Sequence, residues 1–225
     1  IMLSSKNLSI LQNMLPFWDD LTPNQKEILT AGSSELHYDK DTNVHSAESE
    51  CIGMLLVTSG SLRVYMLSEE GREITLYRIH AGDSCVLSAA CVLKSITFDV
   101  FIDTVEASDV IQISSASIAT VMKQNVHAEC HAYKMATERF SDVMWAMQQI
   151  LFMSFDKRLA IFLLDEAASS GSTEIRMTHE QIARLMGSAR EVVTRMLKYF
   201  SSEGYVELSR GIVRIKDKDS LKKLI

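Results

Sequence analysis

The residues with the most distinctive chemistry lie in the run Thr178-His179-Glu180-Gln181-Ile182-Ala183-Arg184-Leu185-Met186-Gly187-Ser188-Ala189-Arg190-Glu191-Val192-Val193-Thr194-Arg195. An arginine can fork onto O6 and N7 of guanine, and a glutamate can accept from the cytosine amino group. Arg190, Glu191 and Arg195 on one exposed helix face would therefore suit the reading of base edges in a DNA major groove. Thr178 with Gln181, and Ser188 with Glu191, each predict a capping box that opens a helix, with Gly187 at the tight turn between them. At about 100° per residue, Val192, Val193, Met196, Leu197 and Phe200 fall on one side of the second helix. Arg190, Glu191, Thr194, Arg195 and Lys198 fall on the other. One side is built for a core; the other presents charge at the helix start, as a recognition helix requires. Ser188 and Thr178 would serve a helix-start amide or a phosphate. Glu191 has an alternative role as the far member of its capping box.

Several elements must hold this unit in place. Gly204–Leu208 and Gly211–Ile215 predict a hairpin around Ser209-Arg210-Gly211, the wing of a winged helix-turn-helix, with a short strand at Glu174–Arg176 before the two helices. A helix from Phe155 to about Ala168 breaks at Ser169-Ser170-Gly171-Ser172. Upstream, Tyr133, Ala136, Phe140, Val143, Met147 and Ile150 recur at alternating spacings of three and four, with Met144 and Leu151 beside the seam. This a/d pattern fits a two-stranded dimer interface, which would pair two readers on a palindromic site. The alternative is a helix packed on its own domain. Residues 114–123 predict a short helix. Between about 34 and 113, short β-rich runs alternate with turns such as Ser59-Gly60, Glu69-Glu70-Gly71 and Ala81-Gly82-Asp83, predicting a small sandwich or barrel. Residues 4–31 predict two helical pieces, with Pro16 and the start Leu21-Thr22-Pro23 between them.

The net charge of −6 hides an asymmetry. Residues 154–225 carry 13 Lys/Arg against 10 Asp/Glu, whereas residues 1–153 carry 10 against 19. A mildly basic C-terminal part on an acidic body suits a DNA reader whose other part has a different task. No stretch reads as a signal peptide, and no apolar run reaches about 18 residues. The expectation is a cytoplasmic protein without membrane association and with reduced thiols at Cys51, Cys85, Cys91 and Cys130. The opening Ile1-Met2 reads as one extra residue ahead of a native start.

This order of parts resembles the superfamily of the cyclic-AMP receptor protein and the fumarate–nitrate reduction regulator (CRP/FNR). The resemblance is carried by Leu15-Pro16-Phe17-Trp18-Asp19-Asp20-Leu21-Thr22, Ser59-Gly60-Ser61-Leu62-Arg63-Val64-Tyr65, Gly82-Asp83, the long helix, Asp156-Lys157-Arg158-Leu159-Ala160, the winged helix and Ile215-Lys216-Asp217. It implies an α+β chain in three parts. An N-terminal double-stranded β-helix (jelly-roll) sensor domain of the cyclic-nucleotide-binding type spans 1–125, a dimerisation helix 126–153, and a winged helix-turn-helix DNA-binding domain 154–225. It further implies a bacterial, homodimeric transcription regulator with double-stranded DNA and RNA polymerase as partners. The half-site would be of the TGTGA type, repeated as an inverted pair and read by Arg190, Glu191 and Arg195.

The resemblance also places an effector pocket at Gly82, Asp83, Cys85, Ser88 and Cys91, facing Phe140, Val143, Met144 and Met147. Relatives that bind cyclic nucleotides open a phosphate cassette with Gly-Glu and close it with Arg-Ser or Arg-Thr. Here Gly82-Asp83 opens a segment with no arginine, and Lys94 cannot fork onto a phosphate. Standard cyclic-AMP binding is therefore not expected, and no cofactor or metal is assigned. The absence of any cysteine before Cys51 argues against an N-terminal iron–sulfur site. Alternatives for the signal are a redox pair at Cys85 and Cys91 against two small buried hydrophobes, a metal at His127, Cys130 and His131 against a solvated helix start, haem, an unknown small organic effector, or none, which would leave a constitutive DNA-binding dimer. An enzyme is not expected, because neither paired catalytic carboxylates nor a His/Glu metal cluster stands out in the β region.

Overall fold

The computed structural model describes residues 3–46, 51–69, 71, 73–85 and 100–225. The chain opens with α1 (Ser5–Met14), a 3-10 turn at Trp18–Asp20 and α2 (Pro23–Ala31). Thr22 and Gln25 exchange both bonds of a capping box, and Pro23 occupies the first turn, where its missing N–H would have no helical partner anyway. The strands that follow are β1 (Ser33–Tyr38), β2 (Asn43–His45), β3 (Met54–Ser59), β4 (Ser61–Leu67), β5 (Glu73–His80), β6 (Ser84–Cys85), β7 (Phe101–Thr104) and β8 (Ser108–Ile113). They form two four-stranded sheets, ordered β1-β8-β3-β6 and β2-β7-β4-β5. This is the jelly-roll expected from the sequence.

Strand β3 accounts for the unbroken apolar run Met54–Val57. Leu55 and Val57 pack with Val110, Leu62, Val64 and Ile102 inside the barrel. Met54 and Leu56 point the other way, into a cluster with Leu11, Leu29, Ile118 and Val121. A strand buried on both faces loses the alternation of a half-exposed one. Gly60 closes the β3–β4 turn at φ +79°, and a Cβ there would lie 2.4 Å from the Ala107 carbonyl oxygen. Only glycine fits.

Helices α3 (Ser115–Gln124) and α4 (Val126–Phe152) complete this part. The Asn125 side-chain oxygen accepts from the His127 and Ala128 amides and so caps α4. The chain then forms α5 (Phe155–Ser170), β9 (Glu174–Ile175), α6 (His179–Met186), α7 (Arg190–Ser202), the hairpin β10 (Val206–Ser209) and β11 (Ile212–Ile215), and α8 (Lys218–Lys223). The three strands form one sheet, ordered β10-β11-β9. Helix α8 has no counterpart among the elements that the sequence predicts. Asp217 caps it by accepting from the Asp219 and Ser220 amides, and Leu221 is fully buried.

Two compact units result. One comprises residues 1–67 and 76–143, the other residues 68–75 and 144–225. The second has its own core of Leu159, Leu163, Ile182, Val193, Leu197, Phe200, Val213 and Leu221. Truncating a fully buried leucine costs about 2–5 kcal/mol. Leu197→Ala should therefore lower the melting midpoint of the C-terminal unit by roughly 10–30 °C in calorimetry. A shift within about 2 °C would mean that this core does not hold the unit together.

Candidate nucleic-acid interface

Helix α6 begins as the sequence predicts. The Gln181 amide donates to Thr178 Oγ1 at 3.2 Å, and the Thr178 amide donates to Gln181 Oε1 at 2.8 Å. Gly187 ends the helix in the left-handed region (φ 61°, ψ 43°). The Ser188 amide then donates back to the Ala183 carbonyl at 2.9 Å, the six-to-one bond of a Schellman turn.

That turn corrects one expectation. Ser188 and Glu191 form no capping box, because Ser188 is used in closing α6. Ala189 becomes the cap residue of α7 and makes no side-chain cap bond. Glu191 is thereby released from any structural duty at the helix start.

Helix α7 divides as its spacing requires. Val193, Leu197 and Phe200 are fully buried, and Arg190, Glu191, Thr194, Arg195 and Lys198 line one open groove. Among the described residues, none of Arg190, Glu191, Arg195 and Lys198 makes an ion pair or side-chain hydrogen bond. Arg214 in the hairpin is used differently. Its guanidinium donates to Glu174 Oε1 at 2.6 and 3.1 Å and to Glu207 Oε2 at 3.1 Å, which ties the wing to β9. Arg184 on α6 is likewise engaged, donating to Glu73 Oε2 at 3.2 Å. Among the described residues, four charged side chains, three of them cationic, are thus left free on one helix face, with the donors and acceptor that phosphates and base edges would need.

Residues 157–224 match the Crp-like helix-turn-helix domain. A solved transcriptional regulator of the CRP/FNR family from Eubacterium rectale is 44% identical, with a TM-score of 0.90 over 94% of this chain and 98% of that one. The chain belongs to the CRP/FNR family. It is also similar to the transcriptional regulator Flp of Lacticaseibacillus casei, 24% identical over 213 residues, which are 92% of this chain and 94% of Flp. The regulator CLP of Xanthomonas campestris, described as c-di-GMP responsive, shares the fold: 20% identity, TM-score 0.71, covering 86% of this chain and 99% of CLP. This CRP/FNR chain is thus a transcription regulator with a DNA-binding helix-turn-helix. No helix among its described residues is long and apolar enough to cross a membrane.

The β-rich part of the CRP/FNR chain holds the other residues that the sequence singled out. Ser88 and Cys91 lie outside the described residues. Gly82 and Asp83 form an exposed turn in which Asp83 Oδ2 accepts from the His80 amide at 3.2 Å. Cys85 is not disulfide-bonded and is fully buried in the barrel core, with Val143 packed against that core. The Cys85–Cys91 disulfide is therefore not formed, and the Cys85 thiol adjoins the Tyr77 hydroxyl instead. Cys51, by contrast, is disulfide-bonded, so the expectation of wholly reduced thiols is corrected. His127 lies 3.8 Å from Asp20, while the His131 ring packs on Phe17 with centroids 5.4 Å apart. Among the described residues, no three His, Cys, Asp or Glu side chains converge to hold a metal.

Two polar residues outside every motif of the sequence face this core. The Arg139 guanidinium lies 5.0 Å from the Tyr77 ring centroid, donates from Nη1 to Asp142 at 2.9 Å and reaches the Ser84 carbonyl at 3.5 Å. Among the described residues Arg139 Nε is buried without a hydrogen-bond partner, and the buried Tyr77 hydroxyl adjoins the Cys85 thiol. Burial pushes the Tyr77 hydroxyl well above its ordinary range, and the Cys85 thiol beside it acts in the same direction. The spacing that could have revealed Arg139 is simple. Met135, Arg139 and Val143 are four apart and share one face of α4.

Proposed function

We propose that the chain acts as a homodimeric transcription regulator that binds a TGTGA-like inverted repeat, with an effector site that does not take cyclic AMP in the standard way. The observation that carries the dimer is the outer face of α4. Tyr133, Phe140, Met144, Met147 and Leu151 are exposed there, and with Thr137 they alternate at spacings of four and three, the a/d period of a two-stranded seam. Ala136 and Val143 instead pack on their own unit, so they support the seam from behind. Ile150 is exposed at the edge of the same face. Membership of the CRP/FNR family supports the same pairing, along with RNA polymerase as a further partner. Arg190, Glu191, Thr194 and Arg195 would read bases, while Lys198, Ser188 and Thr178 would contact phosphates.

On the sensor side, Arg139 Nε–H, a buried donor without an acceptor among the described residues, favours a ligand that brings acceptor atoms. The test is fluorescence polarisation on duplexes carrying one or two TGTGA half-sites, the two centred about one helical turn apart. Two chains should bind the double site cooperatively, and millimolar cyclic AMP should not tighten the complex. Binding of one chain per duplex, or tightening by cyclic AMP, would contradict the proposal.

A further inference from the structure

One contact ties the first helix of the reader to the groove of the second. His179 Nδ1 lies 3.0 Å from Thr194 Oγ1, and the pair is partly buried. Thr194 lines the groove with Arg190, Glu191, Arg195 and Lys198, whereas His179 opens the preceding helix and is not part of that lining. We propose that His179 is a positioning residue that decides whether Thr194 meets a base as a hydrogen-bond donor or as an acceptor. The inference rests on α7 being the DNA-reading helix.

A threonine hydroxyl has one proton and two lone pairs. When Nδ1 is bare, the hydroxyl donates its proton to the ring and offers the groove lone pairs alone. It can then accept only from an amino group, N4 of cytosine or N6 of adenine. When Nδ1 carries a proton, the ring donates to Oγ1 and the hydroxyl proton turns to the groove. It then suits N7 or O6 of guanine, N7 of adenine, or O4 of thymine. A neutral imidazole can take either tautomer and tolerates both kinds of base, while an imidazolium permits only the donor state.

The charged groups acting on the ring are Arg190 and Lys198, both on α7. Burial first, and then these two cations, hold the His179 pKa below its ordinary value of 6.5. The ring of the free protein is therefore neutral at pH 7 and becomes charged only below that value. Bound phosphates act in the opposite direction and bring the transition upward.

The test compares the full-length wild type with His179→Gln and Thr194→Val, on inverted repeats varied at each half-site position, between about pH 8 and about pH 5.5. In the wild type, sites offering an acceptor at the position read by Thr194 should gain over sites offering an amino group by roughly 5- to 100-fold as pH falls. A glutamine side chain does not titrate, so His179→Gln should flatten this profile, and Thr194→Val should remove the preference at every pH. Nitrogen-15 NMR of the complex should show the His179 ring titrating across the same interval. A pH-dependent preference that persists in His179→Gln, or a His179 that does not titrate in the complex, would overturn the proposal. If Glu191→Ala loses selectivity while the pH profile of His179→Gln matches the wild type, His179 has no such role and α7 remains the reader. If no substitution on α7 or at His179 alters selectivity, the reading of α7 itself fails.

Discussion

Phe140→Glu is expected to convert the proposed dimer to monomers while leaving each chain folded. Phe140 is 63% exposed in the single chain, so replacing it removes little from any core, and the cost to chain stability should stay within about 0.5 kcal/mol. In a two-fold seam the same position meets its own copy or near neighbour. Two carboxylates would then be drawn out of water beside each other, at a cost of several kcal/mol per ion. The consequence for DNA follows from linkage. A dimer binds its second half-site at an effective concentration set by the protein itself, which raises overall affinity by about 10²- to 10⁴-fold over one half-site alone. Phe140→Glu should lose that factor on an inverted repeat and lose almost nothing on a single half-site. Light scattering for mass and polarisation on both duplexes check the two halves of the statement. A Phe140→Glu protein that remains dimeric would place the interface elsewhere.

The caps and turns were legible because they depend on neighbours in the chain. The helix start at Thr22-Pro23, the box of Thr178 with Gln181, and the turn at Gly187 are local signals, and the structure carries them as written. The same local logic misread Ser188. Whether it caps α7 depends on how α6 ends, and the Schellman turn takes precedence over the box. Helix α4 shows a second limit. Apolar residues at spacings of three and four mark a buried face, but a helix of 27 residues has room for more than one. Ala136 and Val143 belong to the inward face, Phe140 and Met147 to the outward one. Sequence spacing alone could not divide them. The least legible features were contacts between residues far apart in the chain. His179 with Thr194, and Tyr77 with Arg139, have no shared motif and become neighbours only once the helices and strands have packed.

Glu191→Ala should alter which DNA is bound more than how tightly DNA is bound. Glu191 is exposed, caps nothing and has no ion-pair partner among the described residues, so its removal leaves the fold of α7 intact. Its carboxylate lies beside Arg190 and Arg195 in the groove and repels phosphate, so the charge itself opposes binding to any sequence. On the proposed reading it supplies an acceptor for a cytosine amino group, worth about 1–3 kcal/mol of discrimination at one base pair. An inverted repeat doubles that to about 2–6 kcal/mol, so the preference between the best and the substituted palindrome should shrink by roughly 30-fold to 10⁴-fold. Affinity for the best site falls by less, because the lost hydrogen bonds are offset by relief of the repulsion. Lys198→Ala provides the contrast. As a point charge on the same helix, Lys198 carries no base information. Its loss should weaken every duplex alike and flatten the salt dependence by about one unit per chain. Polarisation titrations on a panel of single-base variants at several salt concentrations separate the two patterns. A uniform loss in Glu191→Ala, with the salt slope reduced, would mean that Glu191 organises phosphate contacts and that base reading falls to Arg190 and Arg195 alone.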